Sequence, residues 1–178
     1  MNKVMFLLLS LSLLSGCGEI NPEAAKIEFE KAQKHLEKFD YDKAKECYDK
    51  ALHHDPSFVK AYTYRGIVFS EKGDLARAES DFTKSLQLDP NQAEVYCRRG
   101  LVFFVQGFVA KAKKDYDKSI ELAPNSIAGY YHRATLYRYK QEYKKSLPDW
   151  QKVLSLGHSD VDTIKRFIQE AQQKIQGK

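Results

Sequence analysis

Residues 59–92, "VKAYTYRGIVFSEKGDLARAESDFTKSLQLDPNQ", are followed without a gap by residues 93–126, "AEVYCRRGLVFFVQGFVAKAKKDYDKSIELAPNS". A shift of 34 lays Tyr62, Arg65, Gly66, Phe69, Gly73, Ala78, Phe82 and Pro90 on Tyr96, Arg99, Gly100, Phe103, Gly107, Ala112, Tyr116 and Pro124. Each recurring slot has a physical reason. Glycine at 66 and 100 lets one helix approach its neighbour closely, and glycine at 73 and 107 supplies a left-handed turn after that helix. Ala78 and Ala112 keep a helix pair tight. Asp55-Pro56 and Asp89-Pro90 are boundaries at which a helix does not comfortably continue.

A 34-residue period carrying aromatic, Gly, aromatic, Ala, aromatic and Pro in that order resembles the tetratricopeptide repeat. The resemblance implies an all-α, right-handed solenoid of about four helix pairs with a C-terminal capping helix. Carried outward, the register gives repeats at about 25–58, 59–92, 93–126 and 127–160. The first keeps Ala32, Tyr41, Ala44, Tyr48, Ala51 and Pro56, with Glu28 in the first aromatic slot. The fourth keeps Tyr130, Arg133, Tyr137 and Trp150, but has Ala134, Gln141, Ser146 and His158 where glycine, glycine, alanine and proline are due. Pro148 lies beyond the first turn of its second helix, so that helix is expected to start late or to bend. Ile164, Phe167, Ile168, Ala171 and Ile175 recur at helical spacing, which predicts a one-faced cap over about 161–176. A domain over 22–178 leaves no room for a second one.

Arg65, Arg99 and Arg133 are each followed sixteen residues later by an aspartate, Asp81, Asp115 and Asp149. Pairing within each repeat leaves none of the six unmatched, whereas pairing to the next repeat sets Arg65 against Cys47 and Asp149 against Phe167. The expectation is three ion pairs, each joining the two helices of a repeat, with the guanidinium fork suited to a carboxylate. They are read as structure, because each aspartate already answers its arginine.

In the family that the chain resembles, the first helices of the repeats line a concave groove that holds a peptide or a partner's helix. The matching slots place Phe29, Tyr64, Ile67, Leu101, Phe104 and Tyr131 there, edged by Arg98, His132 and Arg138. Such a groove suits an apolar segment with an occasional acidic residue. The bland alternative is that some of these side chains pack between repeats or under the C-terminal helix. Members that clamp a chaperone's C-terminal carboxylate use asparagine and lysine at defined slots. This chain has Glu30, Gln33, Tyr64 and Ile67 instead, so that clamp is rejected.

Upstream, the chain opens MNKVMFLLLS LSLLSGCGEI. Lys3, the apolar run from Val4 to Leu14 and the small Ser15-Gly16 have the order of a secretory leader, and the run is too short for the roughly 20 residues of a membrane span. Leu14-Ser15-Gly16-Cys17 resembles the bacterial lipobox. That resemblance implies cleavage of residues 1–16, lipidation of Cys17 by a diacylglycerol and an N-acyl chain, and, with Gly18 next, residence at an outer membrane facing the periplasm. Residues 17–21 form a tether of no more than about 20 Å. Asn21-Pro22-Glu23 reads as a helix cap, a proline at the first helical position and an early negative charge.

Composition narrows the function classes. The 178 residues carry a formal charge of +5, or +4 without Lys3, which agrees with an anionic lipid surface; the charges interleave, and no dense basic run points to nucleic acid. Cys47 and Cys97 lie in repeats two apart, too distant for a disulfide, and are expected as buried free thiols. His53 and His54 are neighbours, which on a helix diverge too far to share a metal. No acid, base or nucleophile constellation stands outside the repeat, so no catalytic residue, cofactor, metal or small-molecule substrate is expected. The reading is a membrane-anchored scaffold or adaptor of the bacterial cell envelope with a protein or peptide partner. Alternatives are a pilotin or assembly factor for a secretion, pilus or protein-insertion complex, and a structural or stress-related envelope protein without one dedicated ligand.

Overall fold

The computed structural model describes residues 20–177, so the expected leader and Cys17 lie outside the described residues. Among those described are nine helices and no strand: α1 Pro22–Leu36, α2 Tyr41–His54, α3 Val59–Glu71, α4 Leu75–Leu88, α5 Ala93–Val105, α6 Val109–Leu122, α7 Ile127–Tyr139, α8 Tyr143–Ser155 and α9 Val161–Ile175. They form an all-α solenoid of four helix pairs and a C-terminal helix. None is long and apolar enough to cross a membrane.

The helix starts follow from local chemistry. Asn21 accepts from the Ala24 amide at 2.9 Å with Pro22 at the first helical position, and Asp40, Asp74 and Asp160 cap α2, α4 and α9 in the same way. The turn within each pair requires a left-handed residue. Gly73 and Gly107 supply it at φ 77° and 83°, but Phe39 and Gln141 adopt φ 58° at the equivalent places. Thus the turn geometry persists where the glycine does not.

Packing within a pair centres on one large ring. Tyr48, Phe82, Tyr116 and Trp150 hold the same slot in successive repeats and are almost wholly buried, each following a small residue on the preceding helical turn: Ala44, Ala78, Ala112 and Ser146. A Cβ added at Gly100 would come within 2.7 Å of the Tyr116 ring, which is why that slot is glycine. The close neighbour is the second helix of the same repeat.

One expectation is corrected. α8 does not start late: it begins sixteen residues after α7, the same interval as from α3 to α4 and from α5 to α6, and it runs on through Pro148, which sits inside it. A mid-helix proline costs about 3 kcal/mol. Burial of Trp150 and Val153 on either side of the core contact, at roughly 1.5–3 kcal/mol each, offsets it.

Candidate functional site along the first helices

Two sets of side chains emerge on opposite sides of the odd-numbered helices. At about 100° per residue, Tyr96, Arg99 and Phe103 share one face of α5, and Leu101 and Val105 share the other.

On the first face lie the ion pairs. Arg65 Nε and Nη2 donate to Asp81 at 2.7 and 2.8 Å, Arg99 to Asp115 at 2.8 and 2.9 Å, and Arg133 to Asp149 at 2.8 and 2.8 Å. The aspartates are buried, and each guanidinium lies over a tyrosine ring of its own helix, Tyr62, Tyr96 or Tyr130. The third nitrogen reaches back one repeat: Arg65 Nη1 to Asp49 at 2.6 Å, Arg133 Nη1 to Asp117 at 2.7 Å, and Arg99 Nη1 to the Thr83 hydroxyl at 3.2 Å. Sequence reasoning missed this second contact, although Asp49, Thr83 and Asp117 precede their arginines by the same sixteen residues. Burial by itself pulls these guanidinium groups down, but hydrogen bonds donated to two carboxylates, and the charges of those carboxylates, outweigh it and hold Arg65 and Arg133 above the ordinary arginine range. This face is consumed by structure.

On the second face the expected groove residues divide into three groups. Phe29 and Tyr64 join Tyr48 and Phe58 in an aromatic cluster with ring centroids 5.1–6.3 Å apart, and Ile67 is half-buried against the core of the second pair. Tyr131, His132 and Arg138 are committed internally. Tyr131 meets Trp150 edge-on at 5.3 Å and stacks on His158, and His132 stacks on Tyr116 at 5.7 Å. Arg138 donates to Glu170 of α9 at 2.8 Å and lies 4.4 Å above Phe167. Arg138 is thus held by the C-terminal helix, while Tyr131 and His132 pack on α8, on the loop after it and on α6.

Between the two ends an apolar patch stays open. Leu101 is 38% exposed, and Phe104 meets Tyr139 of α7 edge-on at 5.4 Å; Tyr139 is 71% and Val105 63% exposed. Val105 and Tyr139 occupy the same slot in adjacent repeats, one position beyond the slots that sequence reasoning carried over. Their signal was available as two large apolar residues recurring next to Phe104. Arg98, at the rim, is held by Glu94 at 2.6 Å and 2.9 Å.

Beside the patch, Cys97, Arg98, Leu101, Ser119 and His132 line a hollow of about 480 Å³. Burial pushes the Cys97 thiol up to about 11, and burial, then the charge of Arg98, pulls His132 below the ordinary histidine range. Both are neutral near pH 7, and a protonated thiol is a poor nucleophile. Cys47 is a half-buried free thiol. Among the described residues no group of His, Cys, Asp and Glu could hold a metal.

Residues 24–92 match a family model described as YpiA-like, C-terminal tetratricopeptide repeats, and residues 93–126 match the tetratricopeptide repeat model itself. The chain belongs to the tetratricopeptide repeat family. Among solved tetratricopeptide repeat structures it is similar to the first such domain of Spaghetti (RPAP3) bound to the HSP90 peptide SRMEEVD, at 28% identity and TM-score 0.67, covering 69% of this chain and 98% of that one. It is also similar to MamA from Desulfovibrio magneticus RS-1, at 21% identity and TM-score 0.71, covering 87% and 93%. A tetratricopeptide repeat protein from Parabacteroides merdae is 20% identical at TM-score 0.73, covering 84% and 60%. The last two likenesses carry the fold alone. No curated protein matches the sequence. Proteins of this family are interaction scaffolds.

Proposed function

We propose that this tetratricopeptide repeat protein is a lipid-anchored scaffold of the bacterial cell envelope, fixed through Cys17 at the outer membrane, that captures an apolar segment of a partner protein. The observation that carries the capture is the open patch of Leu101, Phe104, Val105 and Tyr139, large apolar side chains left wholly or partly in water between the two ends of the groove. Aromatic anchors that are already held edge-on lose little freedom on binding, which favours them as the centre of an interface. The structural likeness to a domain that holds an HSP90 peptide supports a peptide as the ligand class. An acidic chaperone tail is disfavoured here by Glu30, Gln33, Tyr64 and Ile67 at the clamp slots. The short stretch from Cys17 to Pro22 keeps the folded part against the lipid, so anchor and groove act together by raising the local concentration of the partner.

The test is a photo-crosslinking side chain at Phe104 in the anchored protein in cells, with Leu101→Ala, Val105→Ala and Tyr139→Ala combined as the competitor. One dominant crosslinked protein, lost in the triple variant while its melting temperature holds, is expected. The same crosslinks from wild type and variant would reject the patch. Membrane retention of Cys17→Ser would reject the anchor.

A further inference from the structure

The face opposite the groove carries a pattern that the scaffold reading leaves unused. On the even-numbered helices, basic residues recur once per repeat in two rows, Lys43, Arg77, Lys111, Lys145 and Lys50, Lys84, Lys118, Lys152. The rows flank the buried arginine–aspartate pairs. Members of the first lie over the ring at the end of the preceding helix, Arg77 over Phe69 at 4.7 Å, Lys111 over Phe103 at 5.0 Å and Lys145 over Tyr137 at 5.7 Å; Lys152 of the second lies over Tyr130 at 6.0 Å.

The charge around these rows is uneven along the solenoid. Residues 20–92 carry 12 Lys and Arg against 14 Asp and Glu, a net charge of −2, whereas residues 93–178 carry 16 against 9, a net charge of +7. In the first two pairs, Asp40 and Asp74, the caps of α2 and α4, also hold Lys43 and Arg77. In the third pair the capping position is Phe108, so Lys111 has a ring at 4.7 Å where its counterparts have a carboxylate. Within the rows, Lys118 and Lys145 are answered by Glu121 and Glu142, and among the described residues no carboxylate lies within ion-pair distance of Lys50 and Lys84 in the first half or of Lys111 and Lys152 in the second; there Lys114 and Lys144 add two further unanswered charges, and the surrounding net charge is positive rather than negative. Lys111, Lys114 and Lys118 ring a hollow of about 600 Å³ with Tyr96 and Phe103 in its wall; its carboxylates, Asp115, Asp117 and Glu121, are each held by a basic side chain, Arg99, Arg133 with Lys113, and Lys118.

We propose that this back of the third and fourth helix pairs is a docking surface for anionic lipid headgroups. Seven of the eight residues in the two rows are lysines, while Arg65, Arg99 and Arg133 beside them are spent in the buried pairs. Lysine is a hydrated point charge on a long stem, suited to a laterally mobile sheet of headgroups; specific nucleic-acid recognition favours the planar arginine fork. Phe108, half exposed beside Lys111, adds an aromatic of the kind that settles at a membrane interface. Combined with the Cys17 anchor, on which this clause alone rests, the contact lays the solenoid along the bilayer with Leu101 and Tyr139 facing away from it.

The test uses the full chain, wild type and variants alike produced without acylation at Cys17, and flotation on vesicles of phosphatidylcholine alone or with one part in three phosphatidylglycerol. Wild type binds the anionic vesicles at least about tenfold tighter, since each lysine at such a surface is worth roughly fivefold, and high salt removes the difference. The combination Lys111→Glu, Lys114→Glu, Lys118→Glu and Lys152→Glu abolishes the preference with an unchanged circular dichroism melt. The combination Lys43→Glu, Lys50→Glu and Lys84→Glu, on the acidic half, keeps it. Equal binding to both vesicle types overturns the proposal, as does a preference that survives the first combination, or displacement of the vesicles by an equal charge of single-stranded DNA. The anchor reading is judged apart from this: Cys17→Ser alters retention in the cell membrane fraction and leaves the anionic-over-neutral ratio where it was.

Discussion

Gln141 shows how far one residue can depart from its repeat without altering the chain's path. It turns at φ 58° where Gly73 and Gly107 turn at φ 77° and 83°, and its exposed side chain makes no contact that explains the choice. A non-glycine residue in the left-handed region is strained by about 1–2 kcal/mol, of which glycine's larger unfolded-state entropy takes back part. Gln141→Gly is therefore expected to stabilise the protein by about 1 kcal/mol. A thermal melt would show this as a rise of about 2–4 °C. An unchanged or lower melting temperature would mean that the side chain contributes more than its geometry suggests. Phe39 occupies the same turn in the first pair, but its ring packs edge-on to Tyr41 at 6.4 Å, so it is the less clean test.

Between helices, the arginine that the repeat pattern marks is a junction rather than one half of a pair. Arg99 holds Asp115 within its own pair and touches Thr83 of the pair before it, where Arg65 and Arg133 each find a second aspartate. Asp115 is 4% exposed, so removing it strands a guanidinium beside an apolar wall. Asp115→Ala is expected to cost about 3 kcal/mol, because the loss of one partner leaves the other charge desolvated and unanswered. Arg99→Leu combined with Asp115→Ala should recover much of that loss. Urea denaturation of the wild type and the two variants at constant slope would measure it. A cost below about 1 kcal/mol for the single variant would show the pair to be worth no more than a surface ion pair.

At the scale of the whole molecule, α9 closes the solenoid. Ile164 is fully buried, Phe167 lies against Trp150 with ring centroids 4.8 Å apart, and Glu170 takes Arg138 out of the groove. Deleting residues 161–178 uncovers this apolar end. Loss of burial for Ile164, Phe167, Ile168 and Ala171 is expected to cost on the order of 5 kcal/mol. For a chain of this size the melting temperature would fall by about 10–20 °C. Self-association through the uncovered end should accompany it, visible by light scattering. A truncated chain that melts as the full one does would show that the fourth pair needs no cap.

The fold was legible in the sequence because a repeat states its own period: Tyr62 to Tyr96, Gly66 to Gly100 and Pro90 to Pro124 mark out one and the same interval without any knowledge of contacts. The arginine–aspartate spacing was legible for the same reason. The continuity of α8 through Pro148 was not, because a local rule against proline in a helix is overridden by burial of Trp150 and Val153, which are set by other helices. Nor was the state of each groove slot. Sequence spacing assigns Tyr131, Arg138 and Phe104 the same face, but whether a side chain on that face is free depends on what the next helix brings against it. α9 brings Glu170 and Phe167 to Arg138, Trp150 and His158 meet Tyr131, and Val105 and Tyr139 stay largely exposed. Periodicity fixes direction along one helix; only the packing of several decides which of those directions ends in water.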